Sequence, residues 1–129
     1  MWHKIKTTKM LKKNYEFKQV LTRGNHYSGN IIKAVILKRK LNDNFLGIAV
    51  NKKMGKAVNR NRVKRLLREN YKIIEKNIKR GYAVLFLLRR NIDIKKIDFW
   101  SINRDMIKIL ETAKVLKDIE NEKDFNNID

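Results

Sequence analysis

The segment from Asn51 to Arg68 constrains the fold of this chain more than any other. It contains eight lysines and arginines and no acidic residue. Gly55 predicts a turn, and the residues that follow have the spacing of an amphipathic helix. At about 100° per residue, most of the basic side chains fall on one side of this helix, while Val63, Leu67 and Tyr71 fall on the other. One side therefore suits a hydrophobic core, and the other suits a polyanion.

The composition of the whole chain supports an anionic partner. The chain has 129 residues, 43% of them hydrophobic, and a net charge of +19. This length predicts one domain with a real core. The charge is far above the magnitude of about 2 to 8 that suffices for solubility. We therefore expect the excess charge to bind nucleic acid, an anionic membrane or an acidic protein.

Several cellular settings are disfavoured by the same sequence. The longest apolar run, Ala83 to Leu88, is too short for a membrane-spanning helix of roughly 20 residues. The N-terminal residues lack the apolar stretch of a signal peptide, so a cytoplasmic location is expected. The absence of cysteine excludes disulfides, thiolate metal sites and cysteine nucleophiles.

Hydrophobic periodicity predicts an α+β fold in which helices pack on a small sheet, in the order helix, strand, strand, basic helix, strand, helix. Asn14 and Asn59 are the expected caps of the first two helices, Gly81 is expected just past the end of the second, and Asp93 near the start of the third. The composition of residues 1–9 predicts a loose basic arm, and that of residues 118–129 predicts an acidic, disordered tail. The predicted elements are a helix from Asn14 to Thr22, strands from Ile31 to Lys38 and from Phe45 to Lys52, a helix from Asn59 to Arg80, a strand from Tyr82 to Arg90, and a helix from Ile94 to Lys117.

Catalytic chemistry in the protein itself is not expected. His3 and His26 are the only histidines, and His3 falls in the predicted arm, so a fixed acid and base pair is improbable. The aspartates have no spacing typical of a metal cluster, and Gly55 to Ala57 does not complete a phosphate-binding Walker loop. We predict no catalytic residue and no metal ligand in this chain.

Aromatic residues near the basic segment could stack on the bases of single-stranded RNA. The candidates are Phe17, Tyr27, Tyr15 and Phe45. Core packing is an equal alternative for Phe17, which lies on the apolar side of a short helix. Tyr15 fits a surface position better than a base-reading one.

The stretch KKMGKAVNRNRVKRLLRE, Lys52 to Glu69, resembles the signature of the bacterial ribonuclease P protein component. That signature has an alanine, two variable residues, Arg-Asn, and then alternating basic and apolar residues, here Ala57, Arg60 and Asn61 followed by RVKRLLR. Leu11 to Gly24 is similar to the family's first helix, and Gly47 to Gly55 to its third strand and turn. The resemblance covers about Met10 to Leu116.

The resemblance implies a four-stranded sheet with three helices, in the order α-β-β-β-α-β-α, and a left-handed βαβ crossover. The additional strand would lie near His26 to Gly29. It also implies that an RNA subunit carries out Mg²⁺-dependent, endonucleolytic removal of the 5′ leader from precursor tRNA. The protein, inactive alone, would bind that RNA and the leader, with Mg²⁺ held mainly by RNA, and neither membrane nor DNA would be a partner.

The resemblance also implies two sets of site residues. The single-stranded leader would lie between the first helix and the sheet, past Phe17, Leu21, Lys33 and Val35. Leu21 and Val35 stand where some family members have aromatic residues, so this contact would be more generally apolar here. The positions expected to approach the RNA subunit are Lys52, Lys53, Lys56, Arg60, Asn61, Arg62, Lys64, Arg65 and Arg68.

Two other functions fit a basic domain of this kind. A ribosomal protein or RNA assembly chaperone would also use a basic helix against a sheet. A sequence-specific DNA-binding protein would instead be expected to have a helix-turn-helix, whereas a strand precedes this basic helix. A precursor tRNA cleavage assay, in which the protein is reconstituted with the RNA subunit, distinguishes a ribonuclease P protein component from both alternatives.

Overall fold

The computed structural model describes residues 8–117, which form five strands and three α-helices. Short 3-10 turns at Lys52–Met54, Glu75–Asn77 and Ile94–Lys96 precede or follow the longer helices. In chain order the elements are β1 (Thr8–Met10), α1 (Asn14–Arg23), β2 (Asn25–Ser28), β3 (Ile32–Lys38), β4 (Asn44–Ala49), α2 (Ala57–Ile74), β5 (Tyr82–Leu88) and α3 (Phe99–Thr112).

The five strands form one mixed sheet in the order β1-β4-β5-β3-β2. β3 is antiparallel to β2 and β5, and β4 is parallel to β5 and β1. The parallel neighbours β4 and β5 are joined through α2, as expected for a βαβ unit, because parallel strands need a crossover connection. The α+β fold class is therefore confirmed, and the hand of the crossover stays a prediction.

The sheet separates two hydrophobic cores because successive side chains of a strand point to opposite faces. Ile32, Ala34 and Ile36 of β3 pack with α2 and α3 in the larger core. Val35 packs with α1 in the smaller core, together with Leu85 of β5. The central strands are buried on both faces, which explains why their sequences are nearly continuous apolar runs.

The strand count differs from the prediction by one. β2 lies within one residue of the additional strand that the family resemblance implied. β1 was not predicted, because Thr8 to Met10 fell in or beside the expected basic arm. Three residues have no readable period, and the strand depends on tertiary contacts: the Thr8 hydroxyl lies 2.9 Å from the Tyr71 hydroxyl, and the Lys9 ammonium lies 3.0 Å from the Asp43 carboxylate.

The predicted ends of α1 and α2 need corrections, the largest at the end of α2, which is Ile74 rather than Arg80. The residue before α1 is Lys13 rather than Asn14, and Glu16 accepts a hydrogen bond from the Lys13 amide at 2.9 Å. Likewise α2 follows Lys56 rather than Asn59, which lies inside the helix. Gly81 does have a positive φ of 91°, but it lies in the turn into β5 rather than at the end of α2.

The predicted final helix is divided into two pieces. A 3-10 turn at Ile94–Lys96 begins beside Asp93, whose carboxylate accepts from the Lys95 amide at 3.1 Å. α3 begins after Asp98, whose carboxylate accepts from the Ser101 amide at 2.8 Å. Each aspartate satisfies an amide at a helix start, and together they explain the break. The predicted acidic tail, residues 118–129, lies outside the described residues, as do residues 1–7.

Candidate nucleic-acid interface

Burial of one side of α2 fixes which side faces solvent. Val63, Leu67 and Tyr71 are each 0% exposed and pack in the larger core. Burial raises the pKa of Tyr71 to about 12, although its hydrogen bond with Thr8 opposes the rise. With these side chains anchored, the side of the helix that carries Asn61, Arg65 and Arg68 is exposed.

The turn before α2 adds further lysines to this side of the molecule. The Asn51 side-chain oxygen accepts from the Lys53 amide at 2.9 Å and so holds the turn. Gly55 has φ 153°, and a Cβ there would approach Ile94 Cγ2 to 3.0 Å, so both conformation and space favour glycine. Lys53 is exposed, as are its neighbours Lys52 and Lys56.

Two of the predicted RNA-binding arginines make contacts within the protein. Arg60 Nε donates to the Gly55 carbonyl at 3.1 Å and ties the helix to its turn. The half-buried Arg62 donates to the carbonyls of Ile97 at 2.8 Å and Ile94 at 3.0 Å. Its guanidinium therefore joins α2 to the segment before α3, and the family resemblance did not reveal this structural role.

The other predicted residues form a surface that is available to a partner. Arg65 lies 3.3 Å from Glu69, but this is an exposed pair one helical turn apart, and such pairs contribute little to stability. A partner's phosphate could therefore compete for Arg65 at small cost. We call the following set the basic surface: Lys52, Lys53, Lys56, Asn61, Lys64, Arg65 and Arg68.

The predicted leader-binding residues lie on the opposite face of the sheet, beside α1. Phe17 is half-buried above Gly47, where an added Cβ would lie 3.0 Å from Phe17 Cε1. Leu21, one turn further along α1, is 40% exposed. Lys33 is half-buried and shares this face of β3 with Val35.

Val35 differs from the other three because it is only 1% exposed. A Cβ on Gly24 would approach Val35 Cγ1 to 2.7 Å, which shows how closely the chain covers it. Val35 therefore supports α1 from below rather than presenting a surface. Sequence alternation places Val35 on the correct face but cannot reveal that α1 covers it.

One residue on this face was not predicted from the sequence, and one stacking candidate is placed here by the structure. Leu87 lies opposite Lys33 in the β3–β5 register and is half-buried. Phe45, which the sequence offered only as a possible stacking residue, lies under the Arg39 guanidinium at 5.0 Å from its ring centroid, and Gln19 holds that guanidinium at 2.8 Å. We call the following set the α1 face: Phe17, Leu21, Lys33, Phe45 and Leu87. The strand register would have been needed to find Leu87 and to place Phe45 on this face.

The buried carboxylate on the other side of the sheet has a structural role. Asp105 is 5% exposed and accepts from the amides of Asn30 at 3.1 Å, Ile31 at 2.6 Å and Ile32 at 3.0 Å. These bonds fix the start of β3 against α3. Residues 8–117 contain no group of three or more histidine, aspartate or glutamate side chains that could hold a metal ion.

The exposed carboxylate of Asp98 likewise serves a helix start. Hydrogen bonds from Ser101 lower the pKa of Asp98. His26 Nε2 lies 3.2 Å from the Leu21 carbonyl oxygen, while His3 lies outside the described residues. Over the part of the chain that the structure describes, no helix is long and apolar enough to cross a membrane.

Comparison with known proteins identifies the family. A family model described as ribonuclease P matches residues 5–114. The ribonuclease P protein component of Clostridium botulinum (strain Loch Maree / Type A3) is 40% identical over 106 residues, which are 81% of this chain and 94% of that protein. The corresponding protein of Natranaerobius thermophilus is 39% identical over 107 residues, 83% of this chain and 91% of that protein.

Solved structures agree with these sequence relatives. The Staphylococcus aureus RNase P protein has a TM-score of 0.74 and 28% identity, and the match covers 84% of this chain and 97% of that one. The Thermotoga maritima RNase P protein has a TM-score of 0.73 at 24% identity, covering 81% and 96%, and supports the fold. By sequence and by fold, this chain belongs to the ribonuclease P protein family.

Proposed function

We propose that this ribonuclease P protein subunit binds the RNA subunit of the enzyme through the basic surface and the 5′ leader of precursor tRNA through the α1 face. The observation that carries the proposal is the outward position of Asn61, Arg65 and Arg68, the exposed part of the family signature. The buried side of the same helix is apolar, so its charged side is free for a polyanion.

The charge of the basic surface supports the first contact. Six of its seven members are cationic at neutral pH, and like charges one helical turn apart repel by a few tenths of a kcal/mol per pair. Phosphates would relieve that repulsion. If on the order of six phosphates are contacted, the logarithm of the binding constant falls with the logarithm of salt concentration at a slope of about −4 to −5.

The composition of the α1 face supports the second contact. Phe17, Leu21 and Leu87 offer partly exposed apolar surface, and Lys33 adds one positive charge beside it. An unpaired strand exposes base faces for such side chains and phosphates for a lysine, whereas a duplex hides its bases. A single-stranded leader is therefore the better fit to this face.

We propose that hydrolysis belongs to the RNA subunit. The described carboxylates of Asp98 and Asp105 hold backbone amides, and residues 8–117 offer no metal-binding cluster. Mg²⁺ held by RNA and substrate would activate water and neutralise the charge that develops at phosphorus. The protein's own residues would position the leader and offset repulsion between the two RNAs.

One reconstitution assay tests this proposal. Precursor tRNA is incubated at low Mg²⁺ with the protein alone, with the ribonuclease P RNA encoded in the same genome, and with both. We expect 5′ leader release only with both. Cleavage by the protein alone, or an RNA whose activity at low Mg²⁺ is unchanged by the protein, would contradict the proposal; the second result would favour a general RNA-binding role.

A further inference from the structure

Trp100 is a large aromatic side chain that the two proposed surfaces do not use. It lies in the first turn of α3 and is 64% exposed. Burying an aromatic side chain of this size removes a large apolar area from water and is stabilising. A tryptophan that remains exposed to solvent does not contribute this stabilisation to the fold. An exposed aromatic residue beside a binding surface is a candidate contact.

Trp100 is held by a capped helix start and by a neighbouring ring. Asp98 and Ser101 hold the helix start, with the Ser101 amide donating to Asp98 at 2.8 Å. The Phe99 ring meets the Trp100 ring edge to face, with centroids 5.0 Å apart and planes at 84°. An indole held in this way loses little conformational freedom on contact with a flat partner, which lowers the cost of binding.

Exposed basic residues outnumber the two helix-capping aspartates along the chain around Trp100. Lys95 and Lys96 are exposed just before α3. Arg104 is exposed one turn after Trp100, and residues four apart share a helix face. Flat aromatic surface with cations nearby in the chain matches a nucleotide, which has a base to stack and a phosphate to neutralise.

Trp100 also adjoins α2. Arg62 of that helix bonds the Ile97 carbonyl at 2.8 Å, and three residues of chain span at most about 11 Å. The Asn70 side chain of α2 donates to the Phe99 carbonyl at 3.2 Å. Trp100 therefore lies beside the helix that carries the basic surface, on the side of the sheet away from the α1 face.

We propose that Trp100 stacks on an unpaired base of the ribonuclease P RNA, while Lys95, Lys96 and Arg104 meet the phosphates next to that base. This inference rests on the proposed function, since it extends the basic surface across α2 to the start of α3. The occupant is the RNA subunit because that surface is proposed to bind it, whereas the leader is assigned to the opposite face.

Fluorescence of the full chain tests the stacking directly. Trp2 is the only other tryptophan, so Trp2→Phe leaves Trp100 as the single indole. Titration with the ribonuclease P RNA, without precursor tRNA, should quench its emission. Emission that responds only to precursor tRNA, or that changes with protein concentration before RNA is added, would overturn the proposal in favour of substrate binding or self-association.

Affinity measurements supply the second readout. Base stacking contributes about 1–3 kcal/mol per base, so Trp100→Ala should weaken RNA-subunit binding by roughly 5- to 150-fold. Trp100→Phe should retain most of the affinity and Trp100→Leu should not, because leucine lacks a π face. The salt slope should stay unchanged in all three, since no phosphate contact is removed.

Tyr15→Ala provides the matched control. Tyr15 is 66% exposed and lies 5.8 Å from the Lys13 ammonium, but it belongs to α1 on the other side of the sheet. Its removal should change RNA-subunit affinity less than about twofold. Equal losses for Tyr15→Ala and Trp100→Ala, or no loss for Trp100→Ala, would overturn the inference while leaving the proposed function intact. A folded wild-type protein that does not bind the RNA would contradict the proposed function itself.

Discussion

The basic surface and the α1 face are built in different ways. All of the basic surface comes from one continuous segment, where a buried helix side forces Arg65 and Arg68 outward. The α1 face is assembled from a helix and three strands, and neighbours such as Lys33 and Leu87 meet only through the β3–β5 register. A surface whose residues are contiguous in sequence can be predicted from that sequence. A surface whose residues come from separate helices and strands depends on tertiary structure.

The largest effect should come from charge reversal on the basic surface. In the double variant Arg65→Glu/Arg68→Glu, two charge-assisted contacts are lost, each worth about 1.5–3 kcal/mol, so affinity for the ribonuclease P RNA should fall by at least about 100-fold. The salt slope should lose about two units of steepness. Titration at several salt concentrations measures both quantities.

The matched control carries the same charge change away from α2. Lys40→Glu/Lys117→Glu reverses two exposed lysines and should weaken RNA-subunit binding far less. If the two double variants lost equal affinity, total charge rather than the basic surface would determine binding.

Arg62 should behave differently from its neighbours on the same helix. Arg62→Met removes its hydrogen bonds to the carbonyls of Ile94 and Ile97, so the free energy of unfolding should fall by about 1.5–3 kcal/mol. Arg65→Met should leave that free energy almost unchanged but reduce RNA affinity more. Denaturant titration and RNA-binding measurements on both variants make the comparison. If Arg65→Met lowered the free energy of unfolding and Arg62→Met did not, our assignment of the two arginines would be reversed.

Phe17 should separate the two surfaces. Phe17→Ala removes the aromatic surface above Gly47, and loss of one stacked base should weaken leader binding by about 1–3 kcal/mol. Affinity for the RNA subunit alone should remain within about twofold of the wild type. Binding of a leader-bearing precursor tRNA by the assembled enzyme tests the first expectation, and an equal loss of RNA-subunit affinity would refute the separation.

Val35→Thr should have the smallest effect on function. Because Val35 is 1% exposed, the added hydroxyl is buried, and the free energy of unfolding should fall by about 1–2 kcal/mol. Leader affinity of the folded protein should not change. A variant of wild-type stability with weakened leader binding would show that Val35 meets the RNA after all.

The fold class and every member of the basic surface could be predicted from the sequence because local signals determine them. The apolar period of α2 and the continuous run of β5 need no knowledge of distant residues. By contrast, β1 depends on Tyr71 and on pairing with β4, and the burial of Val35 depends on the path of α1. The role of Arg62 was hidden because its charge suits a phosphate as well as a carbonyl.

Two surfaces on opposite sides of one sheet are proposed to bind two different RNAs. The most direct measurement is kcat/KM of the reconstituted enzyme at low Mg²⁺ for precursor tRNA with a long leader and with a leader of one nucleotide, using wild type, Phe17→Ala and Arg65→Glu/Arg68→Glu. We expect Phe17→Ala to lower only the long-leader value, and the double variant to lower both values until excess protein restores them. The same pattern of loss for both variants would contradict the assignment of different RNAs to the two surfaces.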